Sequence, residues 1–158
     1  MEPLDLRAEA EDALRVIAGQ AAERGVETKL EEHGVVPEVV ADRDSLRSVF
    51  TNLLINSLEA IDGEGGTVSV SLIAEESDRA RVEISDTGRG IAADDIAKVF
   101  EPYYSTKETG TGLGLAIVKK AVDDHGGSIS VTSKEGSGTT FTIILPAKPD
   151  AGGGKDDG

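Results

Sequence analysis

Cysteine and tryptophan are absent, aromatic residues make up only 3% of the chain, and no apolar run reaches the roughly 18 residues that a membrane span needs. Without cysteine there is no disulfide framework, no thiolate metal site and no thiol nucleophile. The two histidines, His33 and His125, lie far apart with no metal-ligand spacing around either, and both are expected to be structural. Few aromatics mean that the core must be built from Leu, Ile, Val and Ala. Basic charge is also scarce: 16 Lys and Arg stand against 30 Asp and Glu, a formal net charge of −14. That balance excludes a nucleic-acid binder, which needs a basic footprint. No signal peptide opens the chain, so a cytoplasmic domain making no membrane contact of its own is expected.

The acidity is uneven. Residues 1–65 carry 6 basic and 15 acidic groups, whereas residues 86–120 carry 5 of each. The neutral stretch contains "GTGLGL" (residues 110–115), with Gly110, Gly112 and Gly114 at every second position before an apolar helix. So many glycines lose much conformational entropy on folding, which makes a bland loop an inefficient explanation.

Periodicity organises the rest. Leu6, Ala10, Ala13, Leu14 and Ile17 fall at helical spacing, and Gly25 is a plausible stop. "VETKLEE" and "VVPEVVA" are strand-like pieces joined through His33 and Gly34. Asp44 is placed to cap a helix running to about Ile61. "TVSVSLI" and "RARVEIS" alternate as strands with one buried face. "ADDIAKVF" suggests a short helix, and "YYSTKETGTG" a polar loop. A helix over 113–125 is stopped by Gly126 and Gly127. "SISVTS" and "TTFTIILP" form a hairpin around "KEGSG". This order predicts a two-layer α/β sandwich, with the first 35 or so residues peripheral to it. One domain over 1–146 is expected, followed by a disordered tail over 147–158 that has little apolar content to bury.

Three features carry chemistry. On the helix after Asp44, Leu46, Val49, Phe50, Leu53, Leu54, Leu58 and Ile61 make an apolar stripe, while Asn52, Asn56 and Glu59 recur on another face. Asparagine is a poor helix former, so two of them one turn apart are either solvated surface residues or neutral oxygen ligands for a hard cation or polar ligand. "ISDTGRGI" places Asp86 at the end of an apolar strand, followed by Gly88 and Gly90. That carboxylate either forms an Asx-type turn or accepts from an exocyclic amine while the glycines admit a flat ring. "GTGLGL" presents successive N–H groups at a helix N-terminus, an arrangement suited to phosphate. Base, metal and phosphate can each be assigned a partner.

"NLLINSLEA", "DTGRGI", "FEPYYSTK", "GTGLGLAIV" and "GSGTTFTIILP" stand in the order of the N, first glycine, F, second glycine and final glycine boxes. Over residues 4–146 the chain resembles the catalytic, ATP-binding domain of bacterial sensor histidine kinases, within the gyrase, chaperone, kinase and mismatch-repair ATPase superfamily. "EPYYSTK" and Glu59 are most similar to the nitrogen-regulation type. The resemblance implies an α+β, Bergerat-type two-layer sandwich, with a mixed, mainly antiparallel sheet covered on one face by about three helices. It implies that Asn56 holds Mg²⁺ against the phosphates of ATP, with Asn52 on the phosphate side of the same helix. Asp86 would accept from the adenine amine, with Gly88 and Gly90 against the base. Gly110, Thr111, Gly112, Leu113 and Gly114 would wrap the phosphates. Thr139, or alternatively Thr140, would support the adenine end. Residues 101–111 would form a lid, with Lys107 our own candidate for a phosphate contact. Many relatives carry lysine where Glu59 stands, so no contact from that lysine transfers.

The members that hydrolyse ATP, and the anti-sigma serine kinases, carry a glutamate one turn before the Mg²⁺ asparagine as general base. Here that position is Asn52, which cannot take a proton, whereas an imidazole acceptor already offers a lone pair. The implied activity is therefore transfer of the γ-phosphate to a histidine on a separate dimerisation domain, with a response regulator downstream. No residue of this chain is assigned a catalytic role. Neither histidine has the setting of a phosphoacceptor, so the chain is expected to be the catalytic part of a longer kinase, one compatible with a membrane anchor elsewhere, and a monomer when isolated. A nucleotide-binding regulatory module without catalysis, or an anti-sigma-type serine kinase, are the alternatives.

Overall fold

Alternating strands and amphipathic helices of this kind bury their apolar faces only by stacking sheet against helices. The structure, a computed structural model, describes residues 1–63, 65–76, 78–101 and 114–147. In chain order it contains β1 (Glu2–Leu4), α1 (Leu6–Glu23), β2 (Val26–His33), β3 (Val39–Ala41), α2 (Arg43–Ala60), β4 (Gly66–Glu75), β5 (Arg79–Asp86), a 3₁₀ turn (Ile96–Lys98), α3 (Gly114–Asp124), β6 (Ser128–Lys134) and β7 (Gly138–Pro146). The main sheet has the order β2-β4-β5-β7-β6. β2 pairs with β4 in parallel, and the other three ladders are antiparallel. β1 and β3 form a separate antiparallel pair.

Period-2 alternation decides which face of the sheet is covered. Val68, Val70, Leu72, Ala80, Val82, Ile84, Phe141, Ile143 and Leu145 are all buried against the helices. Their neighbours Ser69, Ser71, Arg81, Glu83 and Thr142 lie half-buried on the opposite face. Among the described residues, three α-helices lie on one face of a mixed, mainly antiparallel sheet, the α+β two-layer sandwich that the resemblance implies. Each buried aliphatic contributes about 1.5–3 kcal/mol. Phe50 and Phe141 are the largest fully buried side chains, and the Phe100 ring meets Phe141 edge-on at 6.1 Å.

Several local expectations are corrected. The first 35 residues are integral, not peripheral. Leu6, Ala10, Ala13, Ile17 and Ala21 of α1 are buried in the core, and β2 is an edge strand of the main sheet. The cap of α2 is Asp42, not Asp44. β3 ends at Ala41 and leaves Asp42 extended, so its carboxylate accepts from the Ser45 N–H at 3.1 Å and the Ser45 hydroxyl at 2.8 Å. "ADDIAKVF" forms only a single 3₁₀ turn, entered at Asp95 without a side-chain cap. Ala147, assigned to the tail, still bridges to Val39 and donates to the Asp78 carbonyl. The remainder of the tail lies outside the described residues.

His125 is structural as expected. Its Nε2 accepts from the Asp42 N–H at 3.1 Å, which fixes the ring proton on Nδ1, and that proton is donated to the Ala121 carbonyl at 2.7 Å. The imidazole thus ties the end of α3 to the start of α2. His125→Ala should destabilise the protein by about 1–2 kcal/mol, read as a lower urea midpoint. An unchanged midpoint would make the bridge incidental. His33 lies at the exposed end of β2, 3.3 Å from Glu31.

Candidate functional site

Asp86 is the last residue of β5, opposite Val68 of β4 and Thr139 of β7. Pairing on both sides fixes its direction. It follows Val82 and Ile84 in the alternation, so its side chain points to the helix side and is only 6% exposed. Oδ1 accepts from the Gly88 N–H at 2.8 Å, which is the Asx-type turn. Oδ2 is buried and receives no hydrogen bond of good geometry, although the Ser57 hydroxyl and the Thr139 N–H lie near enough to the carboxyl to favour its charged form. Burial pushes the Asp86 carboxyl above the usual range. The N–H groups of Gly88 and Thr139, the Ser57 hydroxyl and the Arg89 charge only partly oppose this. A buried acceptor without a well-aligned donor is costly, and an outside donor would relieve it. The turn reading and the ligand reading of Asp86 are therefore compatible, each using one oxygen.

The loop after Asp86 is stitched to the elements beside it. A Cβ on Gly88 would overlap the Ala60 carbonyl at the end of α2, so this residue lets the loop meet the helix backbone. Gly90 packs in the same way on Lys134 of the β6–β7 hairpin. Gly138, not singled out as a site residue, matters as much. Its φ is +104°, and a Cβ there would overlap the Asp86 carbonyl, so only glycine lets β7 run against β5 at this point. Its place in the final glycine box was the available signal.

Thr139 is buried beside Asp86, whereas Thr140 lies on the other sheet face, with its hydroxyl 2.8 Å from that of Ser85. Geometry thus distinguishes the two threonines. The Ser133 hydroxyl donates to the Gly138 carbonyl at 2.9 Å and accepts from the Ile91 N–H at 2.7 Å. With Ser133's only proton used, the 2.9 Å contact between Ser133 and Thr139 has Thr139 as donor. The Thr139 oxygen is left with acceptor capacity.

On α2, the Asn52 amide nitrogen donates to the Ser48 carbonyl at 2.8 Å and the Ser48 hydroxyl at 3.1 Å. Its Oδ1 lies against Gly114, the first residue of α3: a Cβ there would come within 3.3 Å. Asn56 is half-buried one turn further on. Asn52 faces the start of α3, while Ser57 and Ala60 face the Asp86 loop, so Asn56 lies between them along the helix. Ser57 was overlooked by sequence reading. Its signal was a hydroxyl standing in the apolar stripe, four residues after Leu53.

Asn52, Asn56, Asp86, Gly88, Gly90, Gly114 and Thr139 are thus carried by elements that meet around the helix-facing end of β5. Lys107, Gly110, Thr111, Gly112 and Leu113 lie outside the described residues, as does the lid apart from Glu101. Among the described residues no cluster of three or more His, Asp or Glu could hold a metal. The apolar concavity lined by Val39, Leu46, Ala121, His125 and Leu145 is at the opposite end of the sheet and gathers no such polar groups.

The family model for histidine kinase-, DNA gyrase B-, and HSP90-like ATPases matches residues 41–149. The chain is 39% identical over 146 residues to the sensor histidine kinase ZraS of Escherichia coli K12, covering 92% of this chain and 31% of that kinase. It therefore spans about a third of that relative's length. Full-length ShkA in complex with AMPPNP matches with a TM-score of 0.85 and 30% identity, over 94% of this chain and 32% of that one. Histidine kinase ThkA in complex with the response regulator protein TrrA matches with a TM-score of 0.78 and 25% identity, over 92% of this chain and 41% of that one.

Proposed function

Because this chain belongs to the histidine kinase-, DNA gyrase B- and HSP90-like ATPase family, we propose that it binds ATP with Mg²⁺ and supplies the catalytic part of a two-component sensor kinase. The observation that carries this reading is the buried Oδ2 of Asp86 at the end of the central strand, which no well-aligned hydrogen bond satisfies. An adenine amine donates a hydrogen bond of the kind this oxygen lacks. Ser57 and Thr139 add a hydroxyl and an acceptor beside it. Asn56 offers a neutral amide oxygen from α2 for the metal, and Gly114 opens α3, whose N-terminal end favours phosphate. Lys107, Gly110, Thr111, Gly112 and Leu113 are proposed to complete the phosphate contacts.

Asn56 would hold the cation, which would supply neutralisation of phosphate charge. The residues of this chain bind the nucleotide and orient its γ-phosphate outward. A histidine nitrogen of a separate dimerisation domain then attacks with its own lone pair, forming an N–P bond. The bond from the γ-phosphorus to the bridging oxygen breaks, and ADP leaves with that electron pair. No carboxylate base is required at Asn52, because the attacking nitrogen has no proton to lose. A response regulator would take the phosphoryl group from the histidine, consistent with the regulator bound to ThkA.

Isothermal calorimetry tests the reading directly. ATP and ADP should bind in the micromolar to millimolar range, roughly −4 to −8 kcal/mol, and ATP should bind more tightly with Mg²⁺. No heat at millimolar nucleotide would refute it.

A further inference from the structure

α2 has no basic residue in its own last turn, although its C-terminal carbonyls form the negative end of its dipole. Two arginines from elsewhere supply the missing donors. Arg24, just after α1, donates to the Leu58 carbonyl at 3.1 Å. Arg89, in the loop that follows Asp86, donates from its guanidinium to the Glu59 carbonyl at 3.0 Å and to Asp62 at 3.3 Å, while its backbone N–H donates to the Ala60 carbonyl at 2.9 Å. The Arg89 carbonyl in turn accepts from the Gly136 N–H of the β6–β7 hairpin at 2.7 Å. One residue therefore joins α2, the Asp86 loop and the hairpin that carries Gly138 and Thr139. Arg24 grips the same helix, and its backbone carbonyl accepts from Gly65 at 3.2 Å, on the β4 side and away from the hairpin that Arg89 reaches.

From this arrangement, and resting on the proposed nucleotide site, we infer that Arg89 is a positioning residue that sets α2 against the Asp86 loop, so that Asn56 and Asp86 can hold the two ends of one nucleotide. A ligand gripped at both ends depends on that setting. A ligand held chiefly through its base depends on it less, through the Arg89 charge felt by Asp86 alone, since the Asp86–Gly88 turn and the backbone bond to Ala60 survive loss of the side chain. Arg89 thus governs the advantage that Mg²⁺–ATP has over metal-free ADP.

Calorimetric titration of the parent, Arg89→Ala, Arg89→Gln, Arg89→Lys and Arg24→Ala with Mg²⁺–ATP, and with ADP in chelator, tests this. Arg89→Ala should weaken Mg²⁺–ATP about tenfold and metal-free ADP less than about threefold. Arg89→Gln keeps bulk without charge and should show the same selective loss should the alanine variant not fold. Arg89→Lys restores a cation at the helix end and should recover most of the ratio. Arg24→Ala should lower the melting temperature while keeping the parent's ratio. Parallel weakening of both nucleotides by Arg89→Ala or Arg89→Gln, an unchanged ratio in them, or the same selective loss in Arg24→Ala would overturn the inference alone. A parent that bound neither nucleotide would overturn the proposed function as well.

Discussion

Asp86→Asn should make the ligand-free protein more stable and its nucleotide complex weaker. The Asn oxygen can keep the bond from the Gly88 N–H, so the turn survives. The amide nitrogen then occupies the position of Oδ2, the buried oxygen that receives no well-aligned hydrogen bond. In the free protein this replaces a desolvated carboxylate with a neutral group, a gain of about 1 kcal/mol, or roughly 3–6 °C in Tm. In the complex it sets a donor against the donating amine of adenine. The loss of a charge-assisted bond of about 1.5–3 kcal/mol corresponds to roughly 10- to 100-fold in Kd.

The pH dependence has a definite sign. Burial raises the folded-state pKa of Asp86 above its unfolded value, so the folded state holds the proton to higher pH. Its stabilising contribution is complete below the unfolded value of about 3.9 and is lost as pH rises through the raised folded value. The Tm advantage of Asp86→Asn over the parent should therefore grow as pH rises through the raised folded value and shrink as pH falls toward 4. Equal melting temperatures at neutral pH together with equal ATP affinities would reduce Asp86 to a turn residue.

The architecture was legible wherever periodicity was strong. β4, β5 and β7 alternate cleanly because one face meets the helices and the other does not, and α2 carries a continuous stripe from Leu46 to Ile61. Legibility failed where a choice depended on neighbours in space. Asp42 and Asp44 are equivalent caps on local grounds, and only the end of β3 selects Asp42. β1 is three residues long and contains a proline, so nothing local marks it as a strand. α1 looked peripheral because alanines supply half its buried face, and their small side chains announce a core weakly. In the site, Asp86 and the asparagines stood out as polar residues in unusual places. Ser57 did not, because a single hydroxyl in an apolar stripe becomes informative only once its place beside the Asp86 carboxyl is known. Gly88 was read as room for a base, yet its close approach to Ala60 explains the glycine without any ligand.

Asn56→Ala is expected to separate binding from chemistry. Asn56 and Asp86 belong to different elements, and the Asp86 pocket is built from β5, β7 and the Ser57 side of α2. Alanine is a strong helix former, so α2 should be preserved at a half-buried position. What disappears is a neutral oxygen for a cation that tolerates little departure from octahedral geometry and takes few protein ligands. Transfer from ATP to a supplied histidine-containing domain should fall by at least about a thousandfold, the equivalent of some 4 kcal/mol in the barrier. Metal-free ADP should bind within about threefold of the parent, because its base contacts remain. A quench-flow measurement of acid-labile phosphate, with calorimetry on the same preparation, reads both effects. Transfer at the parent rate would remove the metal from α2. Loss of metal-free ADP binding would instead mean that Asn56 holds the base side of the pocket, and the division of labour between α2 and β5 would have to be redrawn.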